Sequence, residues 1–327
     1  MFSSIEKSGS VQIVKRNFSW GEDLTRIIRV VENHFEDFNG NGFYPHPQEE
    51  GLQRELLAIP TLRDLGEAIG SQNVRGVAIT DLGLSHLSEA HRNAVLYAIA
   101  LTRGFPTSTD QRTKRVAWDV RAKKVDPQAA RFTTFSERVG SAEMHTDSSF
   151  YPMPEEQFLL YVVAAARCNG GESLLIDVND IYQELQKTRE GRIAYSLLTT
   201  REVPFRVPAV YAAGDDKVEY YLAPVFHHDG GLRIRWRYDS IMKGLATRPD
   251  LSSPELVDAV ELVNEIVERD APRFQRHLPD DTLLWADNHH TLHGRAVYTD
   301  PDRHLIRIRI SNTPNARRIG PSGISAD

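Results

Sequence analysis

The string Glu143-Met144-His145-Thr146-Asp147-Ser148-Ser149-Phe150 sets an imidazole and a carboxylate two residues apart. On an extended segment residues at that spacing project from the same side, so His145 and Asp147 can reach one metal ion. The spacing by itself carries little. The chain has 12 histidines and 45 acidic residues in 327, and the same triplet recurs at His34 to Glu36 and at His227 to Asp229. A second string far downstream, Asp287-Asn288-His289-His290-Thr291-Leu292-His293-Gly294-Arg295, adds a further imidazole. Alone, His293 reads as a packed, hydrogen-bonded histidine. Joined to His145 and Asp147, it gives two neutral imidazoles and one carboxylate on one face of a metal, the ligand set of non-haem Fe(II) oxygenases. The opposite face stays open to a bidentate 2-oxo acid and dioxygen.

These strings resemble the Fe(II)/2-oxoglutarate-dependent dioxygenases, and within them the taurine dioxygenase-like family that includes clavaminate synthase and related amino acid oxygenases. The resemblance rests on His145-Thr146-Asp147, Gly170-Gly171-Glu172-Ser173, Asp287-Asn288 with Leu292-His293-Gly294-Arg295, and Arg303 with Arg307 four residues on. It implies that His145, Asp147 and His293 ligate iron, that Arg303 pairs with the distal carboxylate of 2-oxoglutarate, and that Ser173 assists it. Arg307 resembles the second family arginine, which contacts substrate or co-substrate. The implied activity is hydroxylation, desaturation or cyclisation at an unactivated C–H of a small carboxylate-bearing metabolite, an amino acid or derivative, free or carrier-bound. Related halogenases have a small residue in place of Asp147, so chlorination is not implied. Two other readings stay open on the residues: a zinc hydrolase using the same His/Asp/His site with a metal-bound water, and a jelly-roll binding protein without turnover.

The remaining candidates have ordinary readings beside the chemical ones. An arginine fork suits a carboxylate better than lysine does, yet Arg303, Arg307 and Arg309 alternate with Ile306, Ile308 and Ile310, as on any amphipathic strand with a solvated face. Ser173 reads equally as a strand start after a diglycine turn. His227-His228-Asp229 sits at a glycine turn, where polar hairpin tips are common. Arg233, Arg235 and Arg237 alternate along one expected strand face, which reads as solvated before it reads as anion-binding. Phe150, Tyr151, Pro152 and Pro154 either cover a bound substrate against water or pack in the core.

The elements that must position these groups follow from periodicity. Helices are expected over 61–69 and 88–102, with strands over 74–81, 116–120, 158–165, 173–178, 218–225, 232–238, 282–286 and 305–310. One long helix starts at Ser253 with Pro254 in its first turn. Residues 39–53, rich in glycine, proline and charge, read as a loop. A mainly β body with flanking helices on one side suggests a double-stranded β-helix, or jelly roll, rather than a doubly wound sheet. No Gly-x-Gly-x-x-Gly string is present. The expected organisation is one dioxygenase domain over 1–327, with the metal and co-substrate motifs within 140–310 and residues 1–110 as a helical and loop extension packed on the core.

Composition narrows the setting. A 40% hydrophobic content suffices for a core. A net charge of −6 gives no cationic field for nucleic acid. The single cysteine, Cys168, suits a reducing cytoplasm. Residues 1–20 have no continuous apolar run of the kind a secretory signal needs. The longest apolar run, 158–166, is far short of a membrane span. A soluble cytoplasmic enzyme with small-molecule partners is expected, and nothing in these residues sets an oligomeric state.

Overall fold

The computed structural model describes residues 4–8, 11–15, 19–35, 43–70, 74–108, 114–123, 134–208, 211 and 218–319. Parts of the expected amino-terminal segment and residues 39–42 of the expected loop lie outside them. Two β-sheets carry the structure. The larger runs in the order β1 (Ser4–Ser8), β2 (Val11–Lys15), β3 (Gly76–Thr80), β14 (Thr282–Asp287), β7 (Gln157–Ala164), β16 (His304–Ser311) and β4 (Phe105–Thr107), with β5 (Trp118–Arg121) also paired to β16. The smaller has the order β13 (Phe274–Arg276), β8 (Ser173–Asp177), β15 (Thr291–Arg295) and β6 (Ala142–His145). Pairing is antiparallel except between β2 and β3.

The two-residue strand period sorts the large sheet into two apolar faces. Val77, Ile79, Leu159, Tyr161, Leu283, Trp285, Ile306, Ile308 and Ile310 form one core with the helices α1 (Asp23–His34), α2 (Glu49–Leu57), α3 (Pro60–Gly70) and α4 (Glu89–Leu101). The alternate residues Ala78, Phe158, Val162, Leu284, Ala286 and Leu305 meet Leu175 and Phe274 of the smaller sheet. The smaller sheet turns Met144, Leu174, Ile176 and Leu292 outward to α5 (Val178–Gln186), α6 (Arg189–Thr200), α7 (Tyr238–Thr247) and α8 (Pro254–Glu265). Each fully buried aliphatic side chain contributes about 1.5–3 kcal/mol. The isoleucines of β16 therefore face the helices, and Arg307 and Arg309 face the interior between the sheets.

Several expectations are corrected. Helices cover the outer faces of both sheets, not one side. Residues 1–110 supply four strands of the large sheet besides helices. The expected loop over 39–53 contains the start of α2, because Leu52 and Leu56 are buried one turn apart. Glu49 in its first turn accepts hydrogen bonds from the backbone and side-chain nitrogens of Asn315. The strand expected over 232–238 ends at Ile234 as β12 (Leu232–Ile234), paired with β11 (Phe226–His228), and α7 begins at Tyr238. The strand expected over 218–225 shortens to β10 (Tyr220–Ala223), paired with β9 (Val203–Arg206). Helices α5, α6 and α7 have no counterpart in the sequence expectations; α5 follows β8 without a break, and Asp177 ends the strand and caps the helix, accepting from Asn179 N at 2.9 Å. Elsewhere the signals hold. Ser88 and Ser253 cap α4 and α8, each hydroxyl accepting a backbone N–H at 3.3 Å. Among the described residues no helix is long and apolar enough to cross a membrane.

Asp281, at φ 61°, ties the loop after β3 to the sheet. Its carboxylate accepts from Gly83 N (2.7 Å), Leu84 N (2.9 Å) and the Tyr161 hydroxyl (2.7 Å). Asp281→Ala strands these donors and forces alanine into the left-handed region, so it is expected to cost about 2–4 kcal/mol. A urea titration checks this as a lowered midpoint, with metal affinity of the folded protein unchanged.

Candidate metal centre

Strands β6 and β15 pair in the register that sets His145 opposite His293, with ring centroids 4.3 Å apart. The register shifts between His293 and Arg295. There a Cβ on Gly294 would lie 2.6 Å from Met144 Sδ and 2.8 Å from Ala142 O, so only glycine fits. Asp147 follows β6 in a segment held from two sides. Trp236 exchanges bonds with Thr146: Thr146 N donates to Trp236 O (2.8 Å), and Trp236 N donates to Thr146 Oγ1 (3.0 Å). Asn288, fully buried, accepts from Asp147 N (2.8 Å) and donates to Asp147 O (3.1 Å) and Glu155 O (2.7 Å).

The result is a compact donor set. One ligand atom each from His145, Asp147 and His293 lies within 4.8 Å of the others, the one such group of His, Cys, Asp and Glu side chains among the described residues. His145 Nε2 is 3.9 Å from Asp147 Oδ1, and His293 Nε2 is 3.9 Å from Asp147 Oδ2. His145 Nδ1 donates to Glu143 O at 2.7 Å, which fixes the tautomer and leaves the Nε2 lone pair for a metal. Asp147 Oδ1 accepts from Arg307 Nη1 (3.0 Å) and Arg309 Nη2 (3.3 Å), whereas buried Oδ2 has no hydrogen-bond partner. The carboxylate is thus split, one oxygen for guanidinium groups and one for an ion.

Electrostatics prepare the same donors. Burial pushes the His145 imidazole down to about 4 and His293 well below its ordinary value, so both are neutral at pH 7. Burial alone would raise Asp147, but Arg307 and Arg309, followed by the two histidines, hold it well below the usual carboxylate range. Fe(II) needs this state: two neutral imidazoles and an anion.

A cavity of about 270 Å³ opens from the triad. Arg303 and Ser173 line it and both are buried. Burial, and then neighbouring Arg295, pull the Arg303 guanidinium down to about 10, and its Nη1 is buried without a hydrogen-bond partner. The diglycine turn explains its seat. Gly171 has φ +80°, and a Cβ there would approach Arg303 Nε at 3.3 Å. A guanidinium with an unpartnered Nη1 in the same cavity as a metal donor set fits a co-substrate with a free carboxylate.

The structure therefore brings together His145, Asp147, His293, Ser173, Arg303 and Arg307 around one cavity. Of the other candidates Arg237 and Arg309 also line this cavity, and the rest lie elsewhere. His228 Nε2 meets the Tyr195 hydroxyl (2.6 Å) and Asp229 pairs with Arg233 (3.1 Å). Pro152, Pro154 and His227 line a second, separate cavity. Phe150 packs on Tyr151 and Tyr211. Arg235 is buried, donating to Ser149 O and Tyr151 O, so the solvated-face reading fails for it. From the sequence alone Asn288 is named without its clamp role, Arg309 and Arg237 are placed on solvated faces, and Asp239 and Lys243 are missed. For Arg309 the signal was its alternation with Arg307, interpretable only once the isoleucine face is known to lie under helices.

A mainly β fold with a two-histidine, one-carboxylate centre defines a class of iron oxygenase. The chain matches the family described as "Taurine catabolism dioxygenase TauD, TfdA family" over residues 61–309, and it belongs to that family. It is a dioxygenase using iron and 2-oxoglutarate, and the zinc hydrolase and non-catalytic readings fall away. No curated protein sequence matches the chain. Among solved structures it is similar to an asparagine oxygenase in complex with Fe(II), 2S,3S-3-hydroxyasparagine and succinate: 17% identity, TM-score 0.70, covering 96% of this chain and 98% of that one. It is also similar to the non-heme iron oxygenase OrfP in complex with Fe and alpha-ketoglutaric acid: 12% identity, TM-score 0.61, covering 93% and 96%.

Two outcomes follow. Near pH 6.5 metal binding to ordinary imidazoles displaces about half a proton from each. Here the histidines are expected to release essentially none, with release growing only as pH falls toward the His145 value of about 4. Anaerobic Fe(II) calorimetry in buffers of different ionisation enthalpy measures this. Arg309→Gln, which takes one guanidinium from Asp147 Oδ1 and loosens Ser148, is expected to weaken Fe(II) binding about tenfold, read in the same titration.

Proposed function

We propose that the whole chain works as one jelly-roll dioxygenase domain in a reducing cytoplasm, hydroxylating a C–H bond of a free amino acid or close derivative. In this reading His145 Nε2, Asp147 Oδ2 and His293 Nε2 hold the iron, and Arg303 with Ser173 holds the distal carboxylate of 2-oxoglutarate. Iron bound there supplies the dioxygen chemistry that oxidises an unactivated C–H while 2-oxoglutarate is converted to succinate and carbon dioxide.

The chain's own residues do the rest. Arg307 and Arg309 keep Asp147 ionised and leave its Oδ2 facing His293. Asn288 fixes the backbone on either side of that carboxylate. Arg303, rigid and fully charged, anchors the far end of the co-substrate and so sets the position of its 2-oxo acid end. Arg307 also lines the cavity, so a substrate carboxylate can meet its guanidinium there. The observation that carries the reading is the coexistence, in one cavity, of a split Asp147 carboxylate and an unanswered Arg303 Nη1. The amino acid class rests on similarity to structures bound to 3-hydroxyasparagine and to (3R,4R)-dihydroxy-L-Arg.

Oxygen uptake that requires both Fe(II) and 2-oxoglutarate, with succinate formed, is the expected activity. Asp147→Ala is expected to abolish it. Arg303→Ala is expected to raise the KM for 2-oxoglutarate about 30-fold or more, from loss of a charge-assisted bidentate pair, with iron content retained. Equal loss of iron in the two variants contradicts these roles.

A further inference from the structure

The cavity has a second charged pole. At the start of α7, Arg237 Nε donates to Asp239 Oδ1 (3.0 Å) and Lys243 Nζ donates to Asp239 Oδ2 (3.1 Å), and all three residues line the cavity. One carboxylate thus faces two cations. Arg237 is also bridged by the backbone to His145, which puts this pole beside the metal donors. Lys243 uses one of three ammonium protons on Asp239 and extends toward solvent, its side chain 60% exposed.

The balance of the lining points the same way. Among the described residues the cavity wall carries seven basic side chains and two carboxylates, Asp147 and Asp239. A divalent iron and a doubly charged 2-oxoglutarate cancel in net charge, so loading them leaves the excess positive charge in place. In a partly enclosed site such a surplus attracts anions and disfavours a cationic ligand. Glu143 also interacts with Arg237 and Lys243, but it is exposed and absent from the lining, so it offsets their charge from outside the cavity.

Resting on the amino acid oxygenase reading, we propose that the substrate is an amino acid with an acidic side chain, whose side-chain carboxylate seats between Arg237 and Lys243. Asp239 is the positioning residue, holding both cations toward one point from alternate oxygens. The pole rejects basic side chains by charge. Amides lose the ionic part of the contact and bind more weakly.

The test uses full-length protein loaded anaerobically with Fe(II) and 2-oxoglutarate and titrated calorimetrically with L-aspartate, L-glutamate, L-asparagine, L-glutamine, L-arginine and L-lysine. Turnover of each is followed as succinate. An acidic amino acid is expected to bind at least about tenfold tighter than its amide. Lys243→Arg is expected to keep that order. Lys243→Glu is expected to remove it and to gain affinity for L-arginine or L-lysine, a reversal that a merely structural lysine cannot give. Tighter binding of an amide or a basic amino acid by the wild type, or an unchanged order in Lys243→Glu, overturns the inference and leaves the amino acid reading standing. If 2-oxoglutarate binds to the Fe(II) protein but no amino acid of the panel does, the amino acid reading and this inference fail together.

Discussion

Everything in the site depends on an aspartate buried between two sheets with a guanidinium pair on one of its oxygens. Burying ions costs several kcal/mol each unless the pairing is complete. Here β16 supplies the answer by strand geometry: Arg307 and Arg309, two residues apart, project from the same face and meet Asp147 Oδ1 together. Arg309 also donates to Ser148 Oγ (3.2 Å), and Ser148 donates to Glu155, which Thr107 and Arg318 engage in turn. The metal donors are thereby anchored through four separate stretches of chain. Without the cations, burial would push Asp147 toward its neutral acid, and the donor set would lose its anion.

The donor set was readable in the sequence because its signal is local chemistry. His145 and Asp147 share a strand end, His293 sits in a string dense with histidine, and no second combination in the chain offers the same ligand types with the same company. The diglycine string was legible only through the family resemblance; its physical reason, a left-handed residue at Gly171 beside Arg303, comes from the structure. What could not be read was which side of a strand is inside. On β16 the isoleucines suggested an interior and the arginines a solvated face. Both faces are in fact buried, one under α1 to α4 and the other between the sheets. Alternation reports that two faces differ, and only tertiary structure says what covers each.

The same limit explains Arg233, Arg235 and Arg237. Their alternation presumed one continuous strand, but the strand stops at Ile234 and a helix opens at Tyr238. The three side chains then go to three environments: an exposed pair with Asp229, a buried seat over Tyr221, and the mouth of the metal cavity. A one-element error in secondary structure thus hid a charged pole that residue type alone had flagged.

The co-substrate role proposed for Arg303 suits an arginine in a dry place. Among the described residues no carboxylate pairs with it, and burial lowers the guanidinium to about 10. That still leaves it charged at neutral pH. A lysine, starting near 10.4 and subject to a comparable penalty, would fall to about 8 and spend part of its time neutral. It would also present a point charge where a planar fork can meet both carboxylate oxygens. The unanswered Nη1 has a further consequence. A buried donor without a partner costs about 1–3 kcal/mol, and an anion that satisfies it returns that energy as binding. The same unpartnered donor that costs the fold energy is thus the group on which the proposed hold of the co-substrate rests.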